Sequence, residues 1–421
     1  MRSLSGFLVF TYLAFYSSLA AAEPSASEGD THESPTHASE AGVDLSDRRL
    51  PAPSAGNSVM SRPWYQNVKL TGFGAAGYLD SGDDGTRPNG GFLIKEASLF
   101  LDLDVWDEAS VFVEVQTNRL AKDASLFVRT GEVYIHAPNV LSSWRQDLLG
   151  IKVGRFDIPF GEEYLYQDAI DNPLISTSAA YPYGFDEGIL FHGIAREVGW
   201  IVSIADGTDE RSAEDHADKA INGKLYGSLG PGVYLSSSIM KNGKAQKSAF
   251  EFGGSHFQPV GASHASQVGE SPSQMVDAIL YQVDGRFEFG DRVILSTFAG
   301  QAHVDDKENE FDRRLRWFSL EPRVDLSQSM YAIVRFSEIG TYDNLEGYHF
   351  DGKSTGGGNG AYGYDTKLLR RVSAGFGWQV NPRLVAKLEV GWDDFHLIEG
   401  SKLDPGNDDR VLTGFELVAR F

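Results

Sequence analysis

Two short segments match patterns that carry chemistry elsewhere. Gly347–Ser354, GYHFDGKS, has the spacing of a phosphate-cradling loop, and Gly352–Gly356, GKSTG, that of a nucleophile elbow. Each needs a parallel-sheet strand before it and a helix after it, and both lie in one Gly-rich stretch that offers neither, so they read as chance matches. Asp80, Asp83 and Asp84 in DSGDDG resemble part of a calcium loop, but no glutamate closes it at the required distance. His32 and His37 in HESPTH stand one residue too far apart for a helical zinc pair, and His256 and His264 read as loop residues. The chain has no cysteine, which removes disulfides, thiolate metal sites and thiol nucleophiles together. His136, His303, His349 and His396 fall near strand ends without a serine placed to use them. The expectation is a protein that is not an enzyme and holds neither metal nor cofactor.

The informative segment is Gly150–Gly188, GIKVGRFDIPFGEEYLYQDAIDNPLISTSAAYPYGFDEG. A strand runs into a Pro-Phe-Gly turn, and a loop far longer than usual follows, which calls for a functional role or disorder. Tyr164, Tyr166, Tyr181 and Tyr183 argue against disorder, because such rings are costly to leave in water. They either stack on sugar faces or, more simply, pack the loop against a wall. From Asp157 to Glu187 the loop carries Asp157, Glu162, Glu163, Asp168, Asp171, Asp186 and Glu187, and no lysine or arginine. Basic residues fall instead on the polar faces of strands: Lys152, Lys224, Arg286, Arg323, Arg335, Arg371 and Lys387. Several have acidic neighbours two positions away, as Asp284 and Glu288 flank Arg286, Glu321 and Asp325 flank Arg323, and Glu389 follows Lys387. That spacing favours a neutralised polar wall over an arginine ladder.

The elements that position these residues are strands. From Asn67 onward, apolar and polar residues alternate in short segments separated by turn residues. Leu384, Ala386, Leu388, Val390 and Trp392 share one face, and Lys387, Glu389 and Asp393 the other. Sixteen such segments can be placed, and Ala249–Gln274 would raise the number to eighteen if it held two more. Alternation alone does not separate a soluble sandwich from a membrane barrel. The connections do, because long ones such as DSGDDGTRPNGG and ADGTDERSAEDHADK alternate with tight ones such as WDE, GPG and VNP; His136–Asp147 is the one turn that looks too long. The fold expected is all-β, a transmembrane antiparallel barrel with long extracellular loops and a third loop folded inward. Val411–Phe421 alternates to a terminal phenylalanine, which resembles the targeting signature of outer-membrane proteins, and it is expected to pair with the strand beginning at Val68.

The N-terminus agrees with export. Met1–Ala22 has Arg2, an apolar stretch from Phe7 to Leu19 and an Ala-x-Ala site before Glu23, the layout of a cleaved signal peptide. Residues 23–62, rich in Ala, Ser, Pro, Glu and His, read as a disordered segment on the periplasmic side, and 63–421 as the barrel. No run of about 18 apolar residues could span a bilayer as a helix. The net charge of −22, moving to −23 once Arg2 is removed, disfavours nucleic acid as a partner.

KVGRFDIPFGEEYLYQ, with GEVYI at Gly131–Ile135 before it, resembles the phosphate-selective porin O and P family, whose members share a G-x-F-x-x-P-F strand at this place. The resemblance implies a sixteen-stranded, trimeric porin of the bacterial outer membrane, surrounded by lipid, with the loop at 156–188 as its constriction and small hydrophilic solutes or ions passing by diffusion. Phosphate pores of that family use wall arginines and lysines near the constriction; here the loop is acidic, which points to a weakly selective or cation-leaning channel. Asp157, Glu162, Glu163, Tyr164, Tyr166, Asp168 and Asp171 are the expected constriction residues, and Lys152, Arg286, Arg323, Arg335, Arg371 and Lys387 the expected wall. The contrasting expectation is a plugged structural or adhesive barrel acting through its outer loops.

Overall fold

Residues 67–80, 90–106, 109–119, 126–141, 147–180, 184–207, 218–246, 275–305, 313–341, 366–397 and 409–421 are described by the computed structural model. The segments expected to be a signal peptide and a disordered tail, and Ala249–Gln274, lie outside them.

Alternation in β15 (Leu384–Leu397) sets the inside and outside of the fold. Leu388, Val390 and Trp392 are exposed, at 54, 57 and 40%, while Lys387, Glu389 and Asp393 between them are at 2% or less. In water this arrangement would be inverted, so a charged interior with an apolar exterior identifies a sheet that faces hydrocarbon. Strand β3 (Ala109–Arg119) repeats it, with Val115 exposed and Glu114 and Gln116 buried.

Sixteen antiparallel strands pair in sequence order and close into a barrel. The others are β1 (Val68–Asp80), β2 (Gly91–Trp106), β4 (Leu126–Ala137), β5 (Gly150–Asp157), β6 (Phe185–Ala195), β7 (Val198–Ala205), β8 (Ala220–Gly230), β9 (Val233–Gln246), β10 (Met275–Phe289), β11 (Val293–Asp305), β12 (Arg313–Asp325), β13 (Met330–Thr341), β14 (Thr366–Asn381) and β16 (Asp409–Arg420). At one end the connections are tight, as at 196–197, 231–232, 290–292 and 382–383; at the other they are long, as at 206–219, 247–274 and 342–365. The turn between β4 and β5, expected to be rather long, is so: it runs from 138 to 149. Closure removes every sheet edge, so each backbone amide in the ladder finds a partner without water.

The seam is formed by the strands expected to meet. Phe73 pairs with Arg420 and Asp80 with Thr413. Phe421 N donates to Gly72 O at 3.0 Å, and Arg420 Nε donates to the carbonyl of Pro382 at 2.7 Å. Phe415 and Leu417 face outward, while Glu416, at 1%, faces in. Gly77 lies against this seam so closely that a Cβ there would meet the Phe415 carbonyl, a backbone atom that cannot step aside. Gly77→Val is therefore expected to weaken closure by about 1–3 kcal/mol, seen as a lower temperature for the heat-induced shift in electrophoretic mobility. An unchanged transition would show that the seam relaxes freely.

Candidate functional site

Between β5 and β6 the chain leaves the wall and turns into the barrel. Gly154 has φ of 136°, a conformation that suits glycine, and Phe156 and Phe160 behind it are nearly inaccessible, at 1 and 3%. The loop is bounded by β6 starting at Phe185, three residues before the expected edge at Gly188, and Ile158 N bonds to Gly184 O at 2.9 Å to close its neck.

The loop first meets the wall at β8, β9 and β10. Asn222 Nδ2 donates to the Pro159 carbonyl at 2.8 Å and Lys224 Nζ to the Gly161 carbonyl at 2.6 Å. Gly161 N donates to Ser238 Oγ and Glu162 N to Asp284 Oδ1. Glu162 closes the corner, paired with Lys224 at 2.9 Å and accepting from the Tyr234 hydroxyl at 2.8 Å. A short 3₁₀ turn, Glu163–Tyr166, follows. Tyr164 lies against Lys224, whose ammonium is 4.8 Å from the ring centre, and Tyr166 lines a small cavity with Glu321, Arg335 and the β11 residues Ser296 and Phe298.

The chain then reaches the other side of the barrel. Ala169 N donates to Glu96 and its carbonyl accepts from Lys387 Nζ, while the Ile175 carbonyl accepts from Lys95 Nζ at 2.8 Å. Glu389 is the central anchor: Ile175 N and Ser176 N donate to one of its oxygens at 2.6 and 2.8 Å, and Ser176 Oγ to the other at 2.5 Å. Arg335 donates to the Ser176 carbonyl at 2.8 Å, Arg371 to the carbonyls of Thr177 and Ser178, and Ala179 N to Ser337 Oγ. Nearly all of these bonds go to the loop's main chain, whose amides and carbonyls would otherwise be buried without partners. Inside the loop, Glu163 accepts from both Ser178 N and Ser178 Oγ, at 2.7 and 2.6 Å. Burial raises the Glu163 carboxyl above its ordinary range, against the opposing pull of Arg335 and the bonds from Ser178.

Of the expected wall cations, Arg335, Arg371 and Lys387 are brought to the loop, each also paired with an inward carboxylate: Glu321 at 2.5 Å, Asp393 at 2.7 Å and Glu416 at 3.0 Å. Arg286 and Arg323 are not; they lie at the tight-turn end, paired with Glu288 and Asp325, each at 2.9 Å. Lys152 packs over the Tyr134 ring, 4.2 Å from its centre. Among the expected loop acids, Asp157 ends β5 and accepts from Gln167, and Asp168 and Asp171 form a turn through the Asp168 carbonyl. Tyr181 and Tyr183 lie outside the described residues. Glu389, Lys95 and Glu96 were not foreseen as anchors; the last two lie at an irregularity in the pairing of β1 with β2, where parity is lost.

No protein-family profile matches the chain, and no curated protein sequence matches it. Solved structures do. An outer-membrane protein of Vibrio cholerae, OmpT, superposes with a TM-score of 0.54 at 12% identity, over 84% of this chain and 97% of that one. An anion-selective porin from Comamonas acidovorans gives 0.54 at 10% identity, over 84 and 99%. OprB of Pseudomonas putida gives 0.51 at 10% identity, over 85 and 95%. At such identities the likeness is one of fold: this chain has the barrel architecture of bacterial outer-membrane porins.

Proposed function

We propose that this chain is an outer-membrane porin, a water-filled channel for the passive diffusion of small hydrophilic solutes or ions, narrowed by the loop between β5 and β6. The observation that carries the reading is the loop itself, folded into a polar barrel and fastened by its main chain to β2, β8–β10 and β13–β15. A wall that held the loop only by chance packing would not supply acceptors and donors matched to its amides and carbonyls in this way. Residence in the outer membrane and assembly as a trimer belong to the same proposal. One solved relative of this fold, the Vibrio cholerae protein, is described in a trimer form.

The wall cations nearest the loop are engaged by carboxylates and by loop carbonyls, so they are anchors rather than free charges for an anion path. Together with the acidic loop, this supports weak or cation-leaning selectivity and does not favour phosphate, although the G-x-F-x-x-P-F motif resembles phosphate pores. In a salt gradient across a planar bilayer, the reversal potential is expected near zero or on the cation side. A strongly anion-selective potential would overturn the assignment of Arg335, Arg371 and Lys387 as anchors.

A second reading has its own support, since Arg371 and Asp393 are both fully buried, drier than an open lumen would leave them. On that reading the loop is a plug and the barrel acts through its outer connections. Single-channel recording separates the two: discrete conductance steps are expected, and their absence at any voltage would favour the plug.

A further inference from the structure

Two histidines take no part in holding the loop and yet are almost wholly covered. His136 lies near the end of β4 and His192 on β6, both on the inner face, and their Nε2 atoms meet at 2.9 Å. The strand between them is bridged over. Its first residue, opposite His192 in the ladder, is Gly150, and a Cβ there would push the His192 ring away from its partner. The bridge spans the part of the wall with the shortest ladder: β4 and β5 pair over five residues, from Val133 with Arg155 to Ala137 with Ile151, whereas β10 and β11 pair over thirteen. A hydrogen bond between two imidazole nitrogens needs a proton on one and a lone pair on the other, so at most one ring is charged while the bond stands. Lys152, opposite His136 in the ladder, is the cation that acts on both rings. Among the described residues no carboxylate faces them to offset it. Ser110 of β3 stands opposite His136, Ile201 of β7 opposite His192, the Tyr134 ring meets His136 edge-on, and Asp147, in the turn between β4 and β5, is exposed.

We infer that the His136–His192 bridge is an acid-released clasp, which ties β4 to β6 across β5 at neutral pH and opens when both rings take a proton. The open form would set two imidazolium rings beside the Lys152 ammonium in one covered corner, and that repulsion drives the rings apart. An unfolded histidine gains its proton at about pH 6.5. Above that value the clasp contributes in full; below it the unfolded chain binds protons that the closed clasp cannot, so stability falls as pH falls. The turn from 138 to 149 is fastened next to the bridge, Val140 N to Leu149 O at 2.9 Å and Ile194 N to Asp147 O at 2.7 Å, and it is the segment that release loosens first. The inference goes beyond the channel reading and holds equally for a plugged barrel.

The test uses the full barrel in detergent and follows the heat-induced mobility shift between about pH 8 and about pH 5. The transition temperature of the parent is expected to drop by several degrees across the histidine range. His136→Gln with His192→Gln keeps a hydrogen bond between two amides and removes the titration, so the drop should flatten while the barrel at the upper pH stays folded. A drop of the same size in the double variant would overturn the clasp and place the acid sensitivity elsewhere, and so would a parent whose transition does not move. Hydrogen exchange on the parent alone, corrected for the intrinsic rate at each pH, gives a second measurement that stands even where the double variant fails to fold. Faster exchange in acid confined to β4, β5, β6 and the 138–149 turn is the expected result. Exchange that is unchanged, or that rises evenly around the barrel, would overturn the clasp.

Discussion

Replacing Glu389 with leucine is expected to give a larger and noisier single-channel current, because one buried carboxylate holds three donors of the loop. Ile175 N, Ser176 N and Ser176 Oγ would all lose their acceptor at once. Hydrogen bonds to a charged group are worth about 1.5–3 kcal/mol each, and loss of even two shifts the ratio of released to docked loop on the order of 100-fold. Glu389→Gln keeps one carbonyl acceptor and should fall between the two. The Ala179 bond to Ser337 and the Arg335 bond to the Ser176 carbonyl remain, so the loop loosens locally rather than leaving the lumen. If both variants conduct as the parent does, with equal noise, the loop is not the constriction and the acids on it do not line the narrowest path.

Arg371→Met is expected to cost the barrel about 3–5 kcal/mol, through the carboxylate it leaves behind. Arg371 meets Asp393 with two parallel bonds, at 2.7 and 3.1 Å, and neither side chain has any accessible surface. Taking away one partner strands a charge in a dry site, whereas taking away both restores an apolar contact of similar volume. The double variant Arg371→Met with Asp393→Leu should therefore recover most of the thermal stability lost by the single one, measured by the temperature of the heat-induced mobility shift. It should not recover the loop, because the carbonyls of Thr177 and Ser178 still lack their donor. Parent-like stability together with altered conductance in the double variant is the signature that separates an anchor from a structural pair. A double variant as unstable as the single one would mean that the cost lies in packing rather than in the unpaired charge.

How much of this was legible in the sequence differs from one residue to the next. The faces of β15 could be read from Leu388, Val390 and Trp392 against Lys387 and Glu389, since a period of two is a direct consequence of the pleat. Which face meets lipid could not, because a soluble sheet shows the same alternation; the exposure of those three side chains decides it. The inward loop announced itself by its length and its tyrosines. Its fastenings did not, because Glu389 is written like any other inward polar residue, and nothing local tells that its partner is the main chain more than 200 positions away. Depth along the barrel would have sorted some of the cations. Arg286 and Arg323 stand close to tight turns at 290–292 and 326–329, far from the loop, while Arg335 and Arg371 sit mid-strand. Lys387, only the fourth residue of β15, would have been dropped by the same rule, yet it reaches the Ala169 carbonyl. Lys95 was hidden by the irregularity in its strand pair, which breaks the parity on which such readings depend.

The wall grips the loop by its main chain. Amides and carbonyls of Ala169, Ile175 and Ser176 are among the handles, and any residue but proline carries the same atoms. Attachment and passage are thereby separated into different parts of the same peptide. A lineage of such barrels could exchange the groups that greet a solute, one position at a time, without first finding a new way to hold the segment in place.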